Sequence, residues 1–139
     1  MLDYQFLTTP TQTEILEIIH LYRQASWWSD ERDDGELVTN IIRGSHCFLA
    51  AIEDTRIIGM GRAISDRAHD AYIQDVTVHP DFQHRGIGHE MMKHLIDRLQ
   101  SDGIHWIGLI AGRNTHPFYR PLGFDDMAEA TPMLLKRRP

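Results

Sequence analysis

The segment from Ile73 to Gly88 constrains the fold most, because it joins an apolar strand to a helix through a glycine-bearing loop. Strand-forming residues run up to Val78, Pro80 marks a turn, and Gly86 lies at the start of the predicted helix. Glycine lets the backbone approach an anion closely, and the first N–H groups of a helix lack partners within the helix. This order of elements predicts a pyrophosphate site at a helix N-terminus.

The bulk composition predicts one globular domain, 1–139, that binds neither nucleic acid nor membranes. The net charge of −6 argues against the basic surface that nucleic-acid binding needs. We expect a cytoplasmic protein, because no apolar run approaches the roughly 20 residues of a membrane span and the N-terminus lacks a signal-peptide core. The single cysteine, Cys47, lies in an apolar run. It is expected to be a buried, inert thiol, with a nucleophile or metal ligand as the alternative.

Two helices are predicted in the first third of the chain. Thr11 and Glu14 match the capping-box pattern, in which a hydroxyl and a carboxylate cap the same helix start. Apolar residues then recur at helical spacing, at Ile15, Ile18, Ile19 and Tyr22. A second helix is expected to start near Asp33 or Asp34 and to stop at Gly44. Its predicted buried face comprises Leu37, Val38, Ile41 and Ile42.

The middle of the chain predicts three strands, of which the third is irregular. Cys47–Ile52 and Arg56–Ile64 flank a turn-like triplet, which predicts a hairpin. Gly59 and Gly61 within the second strand indicate a bend or a close backbone approach. In Ala71–Val78 the apolar residues change parity around the polar pair Gln74 and Asp75. Because a strand has a period of two, this change predicts a bulge at the polar pair.

The last third of the chain predicts a crossover and a closing hairpin. Apolar residues recur every four positions from Ile87 to Leu99, and Gly103 is expected to end that helix. Ile104–Ile110 has few polar breaks, as expected for a strand in the middle of a sheet. A short helix is expected to start near Pro117 and to end at Gly123. Two further strands are expected at Phe124–Met127 and Thr131–Leu135.

With a first strand at Tyr4–Leu7, the elements run as strand, two helices, three strands, helix, strand, short helix and two strands. This order predicts a mixed α/β, or α+β, domain with an antiparallel front half and one strand–helix–strand crossover. The glycine loop alone leaves its chemistry open. A dinucleotide fingerprint needs a glycine where this chain has Met91, and no Walker-type Gly-Lys-Ser/Thr follows. A glycine turn that only caps a core helix is the structural alternative.

Two motifs together resemble the GNAT superfamily of N-acetyltransferases. The family's Gln/Arg-x-x-Gly-x-Gly/Ala signature resembles Gln83-His84-Arg85-Gly86-Ile87-Gly88, preceded by the strand-then-Pro segment Val76-Thr77-Val78-His79-Pro80. Its second signature, Phe-Tyr-x-x-Leu-Gly-Phe, resembles Phe118-Tyr119-Arg120-Pro121-Leu122-Gly123-Phe124. The order of elements fits the family over nearly the whole chain.

The resemblance implies a mixed, mostly antiparallel sheet of six to seven strands, flanked by about four helices and splayed between the fourth and fifth strands. It also implies acetyl-CoA as the donor, with the pyrophosphate on the loop amides and the pantetheine arm paired with a strand backbone. The bulge predicted from the strand phase agrees with such a splay. Residues expected to bind acetyl-CoA are Val76, Thr77, Val78, Gln83, His84, Arg85, Gly86, Ile87, Gly88, His89, Asn114, Phe118 and Tyr119.

The resemblance also suggests catalytic roles. Tyr119 matches the family's frequent general acid, since a phenol with a pKa near 10 stays protonated at neutral pH; simple packing is the alternative. A backbone N–H near Val76 is the expected oxyanion donor. Gln74 stands where many relatives carry a glutamate base, so Asp75 becomes the candidate base. A salt-bridged or orienting role for Asp75, or a water chain to another group, remains open.

The acceptor is expected near Trp27 and Trp28, which the resemblance places at the acceptor entrance. Four carboxylates follow them, Asp30, Glu31, Asp33 and Asp34. Aromatic rings beside carboxylates suit a cationic or aromatic amine. The alternative is a pair of core tryptophans beside a solvated acidic cap.

We therefore expect an enzyme that acetylates a primary amine of a small molecule or peptide, and a homodimer is plausible. No metal is expected, because His84, His89 and His94 are spaced about 140° apart on a helix and cannot share one face. One alternative is the same fold with another acyl-CoA or a hydroxyl acceptor. A second alternative is a non-catalytic acyl-CoA-binding regulatory module.

Overall fold

Strands and helices alternate along the chain in a computed structural model that describes residues 1–29 and 34–136. They fall into two units, Met1–Leu109 and a second unit that begins at Ile110. The first unit contains β1 (Leu2–Phe6), α1 (Gln12–Gln24), α2 (Gly35–Gly44), β2 (Cys47–Glu53), β3 (Arg56–Ser65), β4 (Asp70–Val78), α3 (Ile87–Ser101) and β5 (Trp106–Leu109). The second unit contains α4 (His116–Tyr119), followed by a 3-10 turn at Arg120–Leu122.

Side-chain caps start the first two helices where the sequence predicts them. The Thr11 N–H donates to Glu14 Oε1 at 2.8 Å, and the Glu14 N–H donates to Thr11 Oγ1 at 3.1 Å, so the capping box is confirmed. Asp34 caps α2 by accepting a hydrogen bond from the Glu36 N–H at 2.9 Å. The other predicted start, Asp33, lies outside the described residues.

The end of α3 is a Schellman motif built on Gly103. This glycine has a φ of 86° and donates its N–H to the Gln100 carbonyl at 3.0 Å. The Ile104 N–H donates to the Leu99 carbonyl at 2.9 Å, which completes the motif. The predicted role of Gly103 as a left-handed residue that ends the helix is confirmed.

The five strands form one sheet in the order β1-β2-β3-β4-β5. The first three pairings are antiparallel, and β4 with β5 is the parallel pair joined by α3. The parallel pairing runs from Asp70 opposite Trp106 to Ile73 opposite Leu109. Since β5 ends at Leu109 while β4 continues to Val78, the second half of β4 extends beyond its parallel neighbour. The parallel pairing therefore ends at the point where the resemblance predicts the two strands to separate.

Helices cover the two faces of the sheet. One face packs on α1 and α2, in a core cluster that includes Ile18, Tyr22 and Met60. The other face packs on α3, whose Met91 and Leu95 lie over the glycine-containing part of β3. The Met60 side chain lies on the α1 face, and the two glycine positions beside it lie on the α3 face, because successive residues of a strand alternate between the two faces. In the described part of the chain, no helix is long and apolar enough to cross a bilayer.

The strand count differs from the prediction. The described residues contain five strands rather than six or seven, and β5 lies at the edge of the sheet rather than in its middle. The predicted strands Phe124–Met127 and Thr131–Leu135 are absent from the described part of the second unit. Pro132 has no N–H to donate, and Leu134 and Leu135 are each 93% exposed, so this segment buries too little to hold a strand pair. The mixed α/β class itself is confirmed.

Candidate active site

A bulge in β4 is the first element of the site. Met60 pairs with Thr77 and Arg62 pairs with Gln74, so Asp75 and Val76 together lie opposite the single residue between Met60 and Arg62. Asp75 has a φ of 57°, in the left-handed region that costs a residue other than glycine about 1–2 kcal/mol. The predicted bulge at Gln74 and Asp75 is confirmed.

Two glycines of β3 make room for the bulge and for α3. A Cβ atom at Gly61 would lie 3.1 Å from Leu95 Cδ1 and 3.2 Å from Val76 Cγ2. A Cβ atom at Gly59 would lie only 2.9 Å from Met91 Sδ. The predicted close approach is therefore confirmed, and the Val76 side chain occupies the space that the missing Cβ leaves.

The bulge turns Asp75 toward α1. Asp75 Oδ2 accepts a hydrogen bond from the Tyr22 hydroxyl at 2.8 Å and from Arg62 Nε at 2.7 Å. Without the bulge, alternation along the strand would point Asp75 to the face opposite Gln74. The side chains of Arg62 and Asp75 are only 15% and 24% exposed, so their ion pair is partly desolvated and stronger than a surface pair.

Tyr22 connects this carboxylate to the predicted acceptor residues. Its ring stacks on Trp28 with centroids 3.9 Å apart and planes 6° apart, and Trp27 meets it edge-on at 6.2 Å. Burial raises the pKa of the Tyr22 phenol, and the Asp75 carboxylate raises it further, so the hydroxyl remains a donor. Trp28 packs against the core cluster, whereas Trp27 is 47% exposed. The predicted acidic partners Asp30, Glu31 and Asp33 lie outside the described residues.

The loop that follows β4 is held by side chains of its own. The His79 ring is buried, its Nδ1 accepts from the Asp81 N–H at 3.1 Å, and burial lowers its pKa. A neutral His79 thereby caps the 3-10 turn Pro80–Phe82. Gln83 then folds back, and its Nε2 donates to the Val78 carbonyl at 3.0 Å. The loop is thus fastened to the end of β4.

The loop enters α3 with its backbone turned toward solvent. His84 and Gly86 have φ values of 65° and 78°, and a Cβ atom at Gly86 would meet nothing within 4 Å. No side chain caps α3, whose first internal bond is donated by the Glu90 N–H to the Gly86 carbonyl. The N–H groups of Ile87 and Gly88 therefore belong to the donors that a helix leaves unpaired at its start. This arrangement fits an anionic group such as a pyrophosphate.

The charge of Arg85 is directed to the β2–β3 hairpin. Its guanidinium forms a two-point ion pair with Glu53, at 3.1 and 3.2 Å, and lies 5.6 Å from the centroid of the Phe82 ring. The hydrogen bonds to Glu53 raise the Arg85 pKa above its already high ordinary value. Arg85 was predicted to bind the donor directly, and the structure also gives it this bracing contact.

The second unit carries the other predicted residues. Phe118 and Tyr119 lie in α4, and Phe124 follows Gly123, which has a φ of 100° and ends the 3-10 turn. The Tyr119 ring meets Phe118 and Phe124 edge-on at 4.9 and 6.1 Å, and burial raises its pKa. Tyr119 is therefore protonated at neutral pH and able to donate a proton. Asn114, with a φ of 59°, lies in the exposed turn before α4.

The remaining candidate ligands have other partners. Among the described residues, no group of three or more His, Cys, Asp or Glu side chains is arranged to hold a metal ion. His94 stacks on Tyr4 at 4.7 Å and lies 3.8 Å from Glu90. Cys47 is buried, and burial raises its pKa to about 11, so the predicted unreactive thiol is confirmed.

Sequence reasoning missed Tyr22 and Arg62 as parts of the site. The sequence pattern places Tyr22 in the apolar stripe of a core helix, where a buried phenol needs a hydrogen-bond partner. Arg62 is a charge within an otherwise apolar strand, and a half-buried charge needs a counter-ion. Both signals indicate that a partner exists, but neither identifies Asp75 as that partner.

A bulged strand that extends beyond its parallel neighbour, followed by a glycine loop at a helix start, is the arrangement that the resemblance to acetyltransferases predicts. The sequence profile of the Acetyltransferase (GNAT) family matches residues 11–124. The chain belongs to this family, as the motifs predicted.

One curated relative agrees with this assignment, and two solved structures share the fold. The chain is 46% identical over 70 residues to an uncharacterized N-acetyltransferase, ycf52, of Porphyra purpurea, a match that covers 50% of this chain and 40% of that protein. In structure it is similar to a probable acetyltransferase of Staphylococcus aureus, with a TM-score of 0.81, 20% identity, and coverage of 99% of this chain and 100% of the other. A predicted acetyltransferase of Clostridium acetobutylicum, determined with acetyl-CoA, has a TM-score of 0.74 at 18% identity, with 96% of each chain covered.

Proposed function

We propose that the protein is an N-acetyltransferase that moves the acetyl group of acetyl-CoA to a primary amine by direct transfer. The observation that carries the proposal is the bulged strand β4. It extends beyond β5 and leads, through the glycine loop, to the uncapped N-terminus of α3. Family membership supports the reaction class, and the Clostridium relative determined with acetyl-CoA supports the donor.

In this proposal the donor binds along β4 and the loop. The backbone of Val76, Thr77 and Val78 would pair with the pantetheine arm as an added strand does. The amides from His84 to His89 would hold the pyrophosphate at the positive end of the α3 dipole. Gln83 supports this arrangement by its bond to the Val78 carbonyl, and Arg85 by bracing the loop on the hairpin. Asn114 and Phe118 remain predicted donor contacts in the second unit.

The transfer itself requires a neutral amine, an oxyanion donor and a proton for the leaving thiolate. The amine nitrogen attacks the thioester carbonyl carbon, and the C–S bond breaks as the amide forms. A backbone N–H near Val76 would stabilise the oxyanion. Tyr119, a phenol that is protonated at neutral pH and whose pKa burial raises further, would donate the proton to sulfur. For the base that removes the amine proton, the sequence offers Asp75 or a water chain to another group, and a salt-bridged or orienting role is the alternative for Asp75.

For the acceptor, we propose a small-molecule amine or a peptide. Trp27 supports an aromatic or cationic acceptor because it is about half-exposed and its ring meets that of Tyr22, which bonds to Asp75. Trp28 has one ring face covered by Tyr22 and contributes mainly packing. The cytoplasmic location, the absence of nucleic-acid and membrane partners, and the homodimer remain predictions.

Two alternatives keep the same fold. Another acyl-CoA or a hydroxyl acceptor would need the same loop and the same acid. A non-catalytic acyl-CoA-binding module is favoured by one observation, namely that Gln74 occupies the position of the family's usual glutamate base.

The test is release of CoA from acetyl-CoA across a panel of amines, peptides and polyamines, together with the affinity for acetyl-CoA by calorimetry. Gly86→Glu should abolish donor binding, because it places a carboxylate and a strained φ at the proposed pyrophosphate site. Unchanged affinity in this variant would refute the loop assignment. Donor binding without turnover on any amine would favour the binding module.

Tyr119→Phe separates binding from chemistry. The variant keeps the ring contacts with Phe118 and Phe124 and loses only the hydroxyl. We expect kcat to fall by on the order of 10²-fold, as for loss of a general acid, with acetyl-CoA affinity nearly intact. Equal turnover in both proteins would remove Tyr119 from the mechanism.

A further inference from the structure

We infer that Tyr22 and Arg62 are positioning residues that hold the β4 bulge in shape through Asp75. The three side chains, Tyr22, Arg62 and Asp75, are called the bulge clamp below. That the clamp serves acetyl-CoA binding rests on the proposed function. The inference that the clamp fixes the bulge does not depend on the proposed function.

Two elements, α1 and β3, converge on one atom of Asp75. Tyr22 comes from α1 and Arg62 from β3, and both donate to Asp75 Oδ2, at 2.8 and 2.7 Å. A carboxylate oxygen with two donors from separate elements fixes the position of its own residue relative to both. The bond from Arg62 is also an ion pair, and charge-assisted bonds of this kind are among the stronger ones in proteins.

The backbone of Asp75 has a conformation that needs support from its surroundings. Asp75 adopts a left-handed φ of 57°, although it has a Cβ atom and no glycine stands at this position. A conformation of this kind persists where the surroundings determine it, and the clamp supplies two such bonds. Val76 to Val78 follow immediately, so the direction of their N–H and C=O groups depends on the turn at Asp75.

Asp75 is also the candidate base, yet its Oδ2 already accepts hydrogen bonds from a phenol and from a guanidinium. A residue so engaged is better suited to hold geometry than to exchange a proton in each cycle. Positioning and base catalysis predict different results for variants that keep the carboxylate but remove its donors.

The experiment uses Tyr22→Phe and Arg62→Met in the full chain, each of which keeps the Asp75 carboxylate. The matched control is Arg98→Met, because Arg98 also donates from Nε to an aspartate Oδ2, at 2.8 Å, but at the far end of α3. The readouts are amide hydrogen exchange and the dissociation constant for CoA. Exchange at Val76 to Val78 is compared with that of the β1–β2 pair.

The clamp predicts about tenfold faster exchange at Val76 to Val78 in Tyr22→Phe, as expected when one hydrogen bond to a charged group is lost. Exchange in β1 and β2 should stay within about twofold, and Arg98→Met should leave the bulge unchanged. CoA affinity should weaken by about the same factor, while kcat at saturating donor changes less. Arg62→Met should exceed Tyr22→Phe in each effect because it removes the charged donor.

Unchanged exchange at Val76 to Val78 in both variants would overturn the clamp, and so would an equal rise in every strand, which indicates general destabilisation. An Asp75→Asn variant whose CoA affinity is normal, but whose turnover has lost its dependence on a deprotonated group, would overturn it in favour of the base. If the wild-type protein binds no CoA, the proposed function fails, and the exchange comparison still decides on the clamp.

Discussion

Two aspartates of this protein make nearly identical bonds in different backbone settings. Asp75 Oδ2 accepts from Tyr22 and Arg62 at 2.8 and 2.7 Å. Asp102 Oδ2 accepts from Arg98 at 2.8 Å and lies 2.8 Å from His46 Nε2. In both places one oxygen joins an arginine and a ring from a distant element. The two sites differ in which residue adopts the left-handed conformation.

At the end of α3 the left-handed residue is Gly103, and Asp102 keeps an ordinary φ of −83°. The helix end is therefore specified by glycine and the Schellman bonds, and the ion pair only adds to it. At the bulge, Asp75 itself takes the positive φ. The same bonds therefore add to a turn that glycine already sets at the end of α3, whereas at Asp75, where no glycine stands, we propose that they hold the turn.

Removing each carboxylate in turn tests whether the two aspartates differ as their backbone conformations do. Asp75→Ala loses both hydrogen bonds and places alanine in a left-handed conformation, so we expect kcat/KM for acetyl-CoA to fall by on the order of 100-fold. Asp102→Ala should stay within about threefold. Steady-state kinetics with one responsive amine measures both. Equal losses would mean that position in the fold, and not backbone strain, decides the outcome.

A second variant introduces backbone strain at the end of α3, where the wild-type protein has glycine. Gly103→Ala adds a Cβ atom that meets nothing within 4 Å, so its cost comes from the positive φ alone, about 1 kcal/mol. We expect urea unfolding to show this loss with donor affinity unchanged. Ser101→Ala, in the last turn of the same helix but without a positive φ, is the control. A loss of donor affinity in Gly103→Ala would show that the two ends of α3 are coupled.

Local features of the fold could be predicted from the sequence, because their signals are local. The bulge appears as a change of parity at Gln74, and the helix end appears as Gly103 after an apolar stripe. The capping box at Thr11 needs only residues three positions apart. Each of these predictions is confirmed. Each could be made because the residues that signal the feature are the same neighbouring residues that form it.

The bulge clamp could not be predicted in the same way. Tyr22 and Asp75 are 53 residues apart, and their contact depends on how α1 lies on the sheet. An alternating strand would have pointed Asp75 to the opposite face, and only the bulge reverses it. The prediction of a closing hairpin was wrong for a related reason. Apolar residues near Leu134 suggest a strand, but a strand also needs a partner and Pro132 withholds a donor.

The smallest expected effect is a pH dependence at the second aspartate. Hydrogen bonds from His46 and Arg98 hold the pKa of Asp102 below its ordinary value. As the pH falls, the unfolded chain therefore takes up a proton at this residue before the folded chain does. The contribution of Asp102 to stability is complete above about pH 4 and is lost below it.

Asp102→Asn should accordingly lower Tm by about 1–3 °C at pH 7, as expected for a partly exposed ion pair that solvent screens, and by less at pH 3. Thermal unfolding of both proteins from pH 7 to pH 3 measures this convergence. Asp81→Asn is the control, since Asp81 is exposed and its carboxylate lies 3.9 Å from His79, beyond hydrogen-bonding distance. Parallel curves for Asp102→Asn and wild type would show that these bonds add no pH-dependent stability. The parallel between Asp102 and Asp75 would then be one of geometry alone.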